Sequence, residues 1–219
     1  MSPPRVTGIV LAGGRSTRYG GDKLAVEVGG RPLLHLAIDA VAGVVDEVVV
    51  VIGPDVPTPA LPPEGPVPVV VARDAVAGQG PLAGLAAGLA AASHPLALLV
   101  GGDQPALRPA LLRALLRRLT PDVAGPPLDV TGPPLDAVGP PLDVVGLEED
   151  GRLRPLPVAL RVATTGPAAG VALAAGTRSL VGLFGRLRAG TLGPEQWRAL
   201  DPAGDSLRDV DRREDLPAT

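Results

Sequence analysis

The chain contains no cysteine among its 219 residues, and only one Trp, one Tyr and one Phe. The first absence excludes disulfides, thiolate zinc sites and cysteine nucleophiles. The second means that the core has to be built from Leu, Val and Ala. Basic charge is not in excess: 20 Lys and Arg face 23 Asp and Glu, for a net charge of -3. This balance argues against nucleic acid as the main partner, because such proteins usually carry a basic patch. Long hydrophobic runs are missing as well. The longest apolar-looking run, Leu82 to Ala92, is rich in Ala and Gly and falls short of the ~20 residues that span a bilayer, so no membrane partner is expected. No basic-then-apolar leader pattern is present, since Gly13, Gly14 and Arg15 interrupt the first apolar stretch. The expectation is a soluble cytoplasmic protein.

What is abundant is glycine and proline, 29 and 27 residues, most of them between periodic segments. Val6 to Leu11 is a β-branched run ending before a glycine pair and reads as a buried first strand. Arg31 to Val44 has helical spacing through Leu33, Leu34, Ala37, Ile38 and Val41. Further strands are expected at Val48 to Ile52, Val69 to Ala72 and Leu96 to Val100. Helices are expected at Leu82 to Ala92 and Arg108 to Leu119, and Gly53 to Pro68 is a proline-rich loop. Four strands interleaved with three helices imply a parallel sheet covered by helices on both faces. In the second half, strands are expected at Asp143 to Leu147 and Leu156 to Leu160. Helices follow at Ala168 to Ala175, Leu180 to Leu187 and Pro194 to Leu200, then a strand-like turn and a short helix in Ser206 to Leu216. Residues 1–219 read as one domain, for which this length suffices.

Residues 125–146 hold a tandem heptad, GPPLDVT, GPPLDAV and GPPLDVV, followed by Gly146. Proline pairs every seven residues forbid a helix and most sheet pairing. The repeat, at about 125–140, therefore reads as an extended surface insertion.

Chemistry concentrates in two segments. The first is LAGGRSTRYGGDK, Leu11 to Lys23, directly after the first strand. Gly13, Gly14, Gly20 and Gly21 let the backbone turn sharply and approach a ligand, and successive N–H groups in such a loop can cradle an anion. Arg15, Arg18 and Lys23 add three positive charges suited to a triphosphate. The loop is neither a P-loop, lacking GK[ST], nor the G-x-G-x-x-G dinucleotide fingerprint. The second is LLVGGDQP, Leu98 to Pro105, which places Asp103 at the end of a buried strand, on the edge where open α/β sheets bind ligands. A carboxylate there suits Mg²⁺, which takes one or two carboxylates plus the substrate's phosphate oxygens. His35 and His94 read as surface or packing residues and Trp197 as a core anchor.

With these segments the chain resembles the molybdenum cofactor guanylyltransferases and their cytidylyltransferase relatives. The resemblance is carried by LAGGRSTRYGGDK, GRPLL (Gly30 to Leu34), RDAVAGQGPLAGL (Arg73 to Leu85), GGDQP, GRLRPLPVAL (Gly151 to Leu160), GTRSLVGLF (Gly176 to Phe184) and DVDRREDL (Asp209 to Leu216). It implies a Rossmann-like nucleotidyltransferase fold, three-layer α/β/α with a mostly parallel sheet. It implies that Leu11, Ala12, Gly13, Gly14, Arg15, Asp74 and Gly80 belong to the nucleotide site. Lys23 would bind phosphates, with Arg18 assisting, and Asp103 would hold Mg²⁺. The implied substrates are GTP or CTP and molybdopterin or the molybdenum cofactor, with molybdoenzymes or cofactor-biosynthesis proteins as partners. GPLAG with Asp74 resembles the guanylyl branch; GGDQP, and the missing Asn after Val51, resemble the cytidylyl branch. The family's tail motif N-x-N-T-P is here Asp209 to Arg213, which leaves Asp209 or Asp211 open as a second metal ligand. Arg178 lies in a segment that the family uses near the acceptor.

The reaction so implied is in-line attack of an acceptor phosphate on the α-phosphorus of a nucleoside triphosphate. The acceptor is already an anion, so catalysis reduces to positioning and charge neutralisation. The rivals are a nucleotidyltransferase acting on another phosphorylated acceptor, and a non-catalytic nucleotide-binding protein docking through the heptads.

Overall fold

The computed structural model describes residues 4–13, 23–63, 65–75, 78–120, 141–210 and 215. Strand β1 (Val6–Leu11) is buried for five of its six residues, and its side chains alternate between two cores. A short hairpin follows, β2 (Glu27–Val28) with β3 (Arg31–Pro32), and leads into α1 (Leu33–Ala42). β4 (Glu47–Ile52) and β5 (Val69–Arg73) continue the sheet, joined by the proline-rich loop. Helix α2 (Pro81–Ala91) starts with proline in its first turn, where the missing N–H costs nothing. β6 (Leu96–Gly101) is buried throughout, and α3 (Pro109–Leu119) presents Leu111, Leu112, Leu115 and Leu116 to the core.

The second half contributes β7 (Val144–Glu149), β8 (Arg152–Arg161), α4 (Val162–Ala174), α5 (Leu180–Phe184), β9 (Ala189–Leu192) and α6 (Pro194–Leu200). The seven-stranded sheet has the order β5-β4-β1-β6-β8-β7-β9. β8 alone runs against its neighbours; the other strands are parallel. Val10, Val50 and Val100 pack on one face with Leu34, Ile38 and Leu111. Ile9, Val51 and Leu99 pack on the other with Leu82, Leu85 and Ala169. The fold is therefore the expected α/β arrangement, a mostly parallel sheet between two helical layers.

Several boundaries differ from the sequence reading. Helix α4 starts six residues before Ala168 and runs through Pro167. Its start is tied by the Val162 N–H to the Pro95 carbonyl, 3.0 Å. Helix α5 ends at Phe184, short of Leu187. The tail has a 3-10 turn at Asp205–Leu207 and then irregular backbone to Val210, where a strand-like turn was expected; the short helix expected before Leu216 falls mostly outside the described residues. Trp197 is an anchor as expected: it is buried, and its indole N–H donates to the Glu148 carbonyl at 2.9 Å. The first two heptad copies lie outside the described residues; the third enters β7 through Asp143. Among the described residues, no helix is long and apolar enough to cross a membrane.

Candidate active site

Strand order decides where a crevice opens. The chain goes from β1 outward to β4 and β5, then returns to the other side of β1 as β6. Connections leave in opposite directions beyond the ends of β1 and β6, which makes this the switch point where open parallel sheets take ligands. Register puts Leu11 beside both Val51 and Gly101. The Gly102 N–H donates to the Leu11 carbonyl (2.9 Å), the Ala12 N–H to Val51 (2.7 Å) and the Asp74 N–H to Ile52 (2.9 Å). Leu11, Ala12, Gly13, Asp74 and Asp103 thus share one sheet edge.

Across this edge lies a charge pair. Lys23 Nζ donates to Asp103 Oδ2 at 2.7 Å, across 80 positions of sequence. The two side chains are 12% and 27% exposed, so the pair is sheltered but open on one side. Asp103 folds back tightly: a Cβ on Gly101 would stand 2.5 Å from its Oδ1. Only glycine at 101 leaves the carboxylate this place. The Asp103 carbonyl accepts from the Val210 N–H at 3.0 Å, so the tail's main chain reaches the same loop. Asp209 is exposed beside it.

Gly80 caps α2 with φ of +81°, and a Cβ there would stand 2.8 Å from the Arg178 carbonyl. That carbonyl accepts from the Leu82 N–H (3.2 Å), while Arg178 Nη1 donates to Gln79 Oε1 (2.6 Å). The Gly176–Ser179 segment is therefore docked on the start of α2. On the opposite face of the sheet, an apolar pocket is lined by Ala12, Leu34, Ile52, Pro57, Pro59 and Ala60. His35 Nε2 is 2.9 Å from the Ala60 carbonyl at its rim, a packing role as expected. The sequence reading missed Arg73, whose guanidinium donates to the carbonyls of Gly53, Pro54 and Val56 and to Thr58 Oγ1. It fixes the loop that borders the pocket; its place next to Asp74 was the available signal. Gly14, Arg15, Arg18 and Asp211 lie outside the described residues.

Asp103 offers a hard oxygen ligand. Among the described residues no three His, Cys, Asp or Glu side chains gather into a metal cage. One carboxylate at an open strand end fits Mg²⁺, which keeps waters and takes its remaining ligands from substrate phosphates.

A mostly parallel sheet with a lysine and a carboxylate paired at its switch point, in a chain whose first strand leads into a glycine-rich segment, fits the nucleotidyltransferase class. Solved structures share this fold. Molybdopterin-guanine dinucleotide biosynthesis protein A from Archaeoglobus fulgidus matches with a TM-score of 0.69 over 96% of this chain and 94% of that one, at 18% identity. The 4-diphosphocytidyl-2C-methyl-D-erythritol synthase from Anaerococcus prevotii matches at 0.62 over 97% and 95%, with 14% identity. In sequence, the probable molybdenum cofactor guanylyltransferase of Chloroflexus aggregans is 31% identical over 214 residues, 96% of this chain and 91% of that protein. The one from Natronomonas pharaonis is 40% identical over 114 residues, 51% of this chain and 56% of that protein. Residues 8–155 match the family model of the MobA-like NTP transferase domain, and the chain belongs to that family.

Proposed function

We propose that the protein transfers GMP from GTP to the terminal phosphate of molybdopterin or the molybdenum cofactor, releasing pyrophosphate. The observation that carries this reading is the Lys23–Asp103 pair at the switch point, in a chain whose relatives are named guanylyltransferases. An acceptor phosphate oxygen forms the new bond to the α-phosphorus; the bond to the bridging β-oxygen breaks, and the electron pair leaves with pyrophosphate. No side chain has to remove a proton. Lys23 holds negative charge on the triphosphate as a point charge. The glycine-rich segment after Gly13 would offer main-chain N–H groups to it, and Asp74 would accept from the N–H groups of the guanine edge. Asp103 would hold Mg²⁺, which when bound would neutralise further charge on the phosphates.

Gln104, which resembles the cytidylyl branch, is fully buried and bonded to protein main chain. Both ends of its carboxamide are taken by main chain, so its likeness to the cytidylyl branch rests on sequence alone. The test is kcat/KM for GTP, CTP, ATP and UTP with molybdopterin and Mg²⁺, following pyrophosphate. GTP is expected to lead by tenfold or more, since a site that bonds a base edge leaves polar groups unpaired with the wrong base. A tenfold lead for CTP, corresponding to ~1.4 kcal/mol, would instead establish a cytidylyltransferase. Release of pyrophosphate only with other phosphorylated acceptors would refute the molybdopterin assignment.

A further inference from the structure

The loop that carries Asp103 is held from behind by a polar assembly whose centre has no exposure to solvent. Gln104, Asp201 and Ser206 are each 0% exposed. Gln104 Oε1 accepts from the Gly101 N–H at 2.8 Å, and its Nε2 donates to the Ser206 carbonyl at 3.3 Å. Ser206 Oγ accepts from the Arg108 N–H at 2.9 Å. The Ser206 N–H donates to Asp201 Oδ2 at 2.8 Å and the Asp205 N–H to Asp201 Oδ1 at 3.1 Å. Arg108 Nη2 also bonds Asp205 at 2.9 Å, and Arg154 Nη2 donates to the Leu207 carbonyl at 3.0 Å. The chain then continues to Val210, whose N–H donates to the Asp103 carbonyl. Residues about a hundred positions apart are thereby fastened on both sides of Asp103.

A buried carboxamide is costly unless its donor and acceptor are both paired. Here both are, and both partners are main chain. Gln104 therefore carries geometric information: one end fixes the turn at Gly101, over which Asp103 folds, and the other end fixes the tail that meets the Asp103 carbonyl. Groups that orient a metal ligand in this way typically alter metal affinity or activity 10–100-fold when removed.

We propose that Gln104 is a positioning residue, which clamps the Gly101–Asp103 turn to the Asp201–Val210 segment and so presents the Asp103 carboxylate to the cation. This rests on the reading of Asp103 as the metal ligand given above. The tail thus belongs to the scaffold of the site, although it lies far from the glycine loop in sequence.

Two near-isosteric variants test it. Gln104→Met removes both bonds, and Gln104→Glu keeps the acceptor toward Gly101 but loses the donor toward Ser206. Amide hydrogen exchange in the full chain, without substrate, is the first readout. Gln104→Met should accelerate exchange at Gly101 and Val210 at least tenfold; Gln104→Glu should do so at Val210 alone. The Mg²⁺ concentration for half-maximal pyrophosphate release is the second, and it should rise at least tenfold in Gln104→Met while KM for GTP measured at saturating Mg²⁺ changes less than threefold. Unaltered exchange at Val210 in both variants overturns the clamp. Faster exchange with unchanged Mg²⁺ dependence overturns the positioning role. If Gln104→Met does not fold, Gln104→Glu decides both points. If the wild type releases no pyrophosphate with any nucleotide, the functional reading fails on its own, and exchange still decides the clamp.

Discussion

Asp103 and Lys23 show how two residues acquire a shared role only through the fold. Each follows a different strand or loop, and the crossover from β5 to β6 brings them within 2.7 Å. As a partly exposed pair they contribute little stability, at most about 1 kcal/mol. Substituting either should therefore leave the fold in place, which separates chemistry from folding. Asp103→Asn is expected to lower turnover by more than tenfold, a loss above ~1.4 kcal/mol, with a normal circular dichroism spectrum. Lys23→Ala is expected to weaken nucleotide binding, lower turnover, or both. Steady-state kinetics at limiting and saturating GTP check this. Retention of over a tenth of the activity in Asp103→Asn would remove it from the metal site. Unchanged kinetics in Lys23→Ala would remove that residue from the phosphates.

At the scale of elements, the ends of β7 and β9 are joined by Asp143. It accepts from the Arg188 N–H (3.0 Å), Nε (3.2 Å) and Nη2 (3.3 Å). Burial pushes its carboxyl up, but the hydrogen bonds from Arg188 outweigh burial, and the net displacement is downward from 3.8. A value lowered in the folded state means that its stabilisation is present above pH 3.8 and is lost as pH falls through the lower folded value. Asp143→Asn should melt at a lower temperature than the wild type at pH 7, and the gap should narrow as pH falls below 3.8. Thermal melts between pH 7 and pH 3 decide it; a constant gap would refute the linkage. The same elements show what was legible in the sequence. β1 and β4 were plain from their buried β-branched runs, and β6 from its short apolar run, LALLVG, buried throughout. β9 was not, because AGTL carries no pattern of its own and is strand only through pairing with β7. The start of α4 was hidden by Pro167, which forfeits one helical bond that its surroundings tolerate. In the candidate site, the glycines after the first strand and Asp103 at the end of a buried strand stood out in the sequence itself, whereas Leu11, Ala12, Asp74 and Gly80 entered only through the family resemblance. The role of Gln104 was not, since its partner Ser206 lies 102 positions away.

For the whole molecule, the question is how a chain tolerates a proline-rich repeat beside a catalytic domain. The insertion leaves from the end of α3 and returns at the start of β7. Arg161 marks both ends: Nη2 donates to the Leu119 carbonyl (3.0 Å) and Nε to Leu142 (2.8 Å). Arg161 itself pairs with Leu96, where β6 begins, whereas Asp103 follows where β6 ends. The attachment points therefore sit at the sheet edge opposite the site, separated from it by the length of a strand, roughly 17–20 Å. Lengthening a loop is thermodynamically inexpensive, about 0.6 kcal/mol for each doubling, and Arg161 holds the two ends whatever lies between them. We propose that residues 1–219 act as one domain and that the first two heptads are dispensable to it. Deleting Gly125 to Val138 should shift the melting temperature by no more than about 2 °C, the change that about 0.6 kcal/mol produces in a domain of this size. It should also leave kcat/KM for GTP within twofold. A normal melting temperature with lost activity would mean that the repeat acts on the site from a distance. A large fall in melting temperature would mean that it packs on the domain, because neither effect can come from the length of the connection alone.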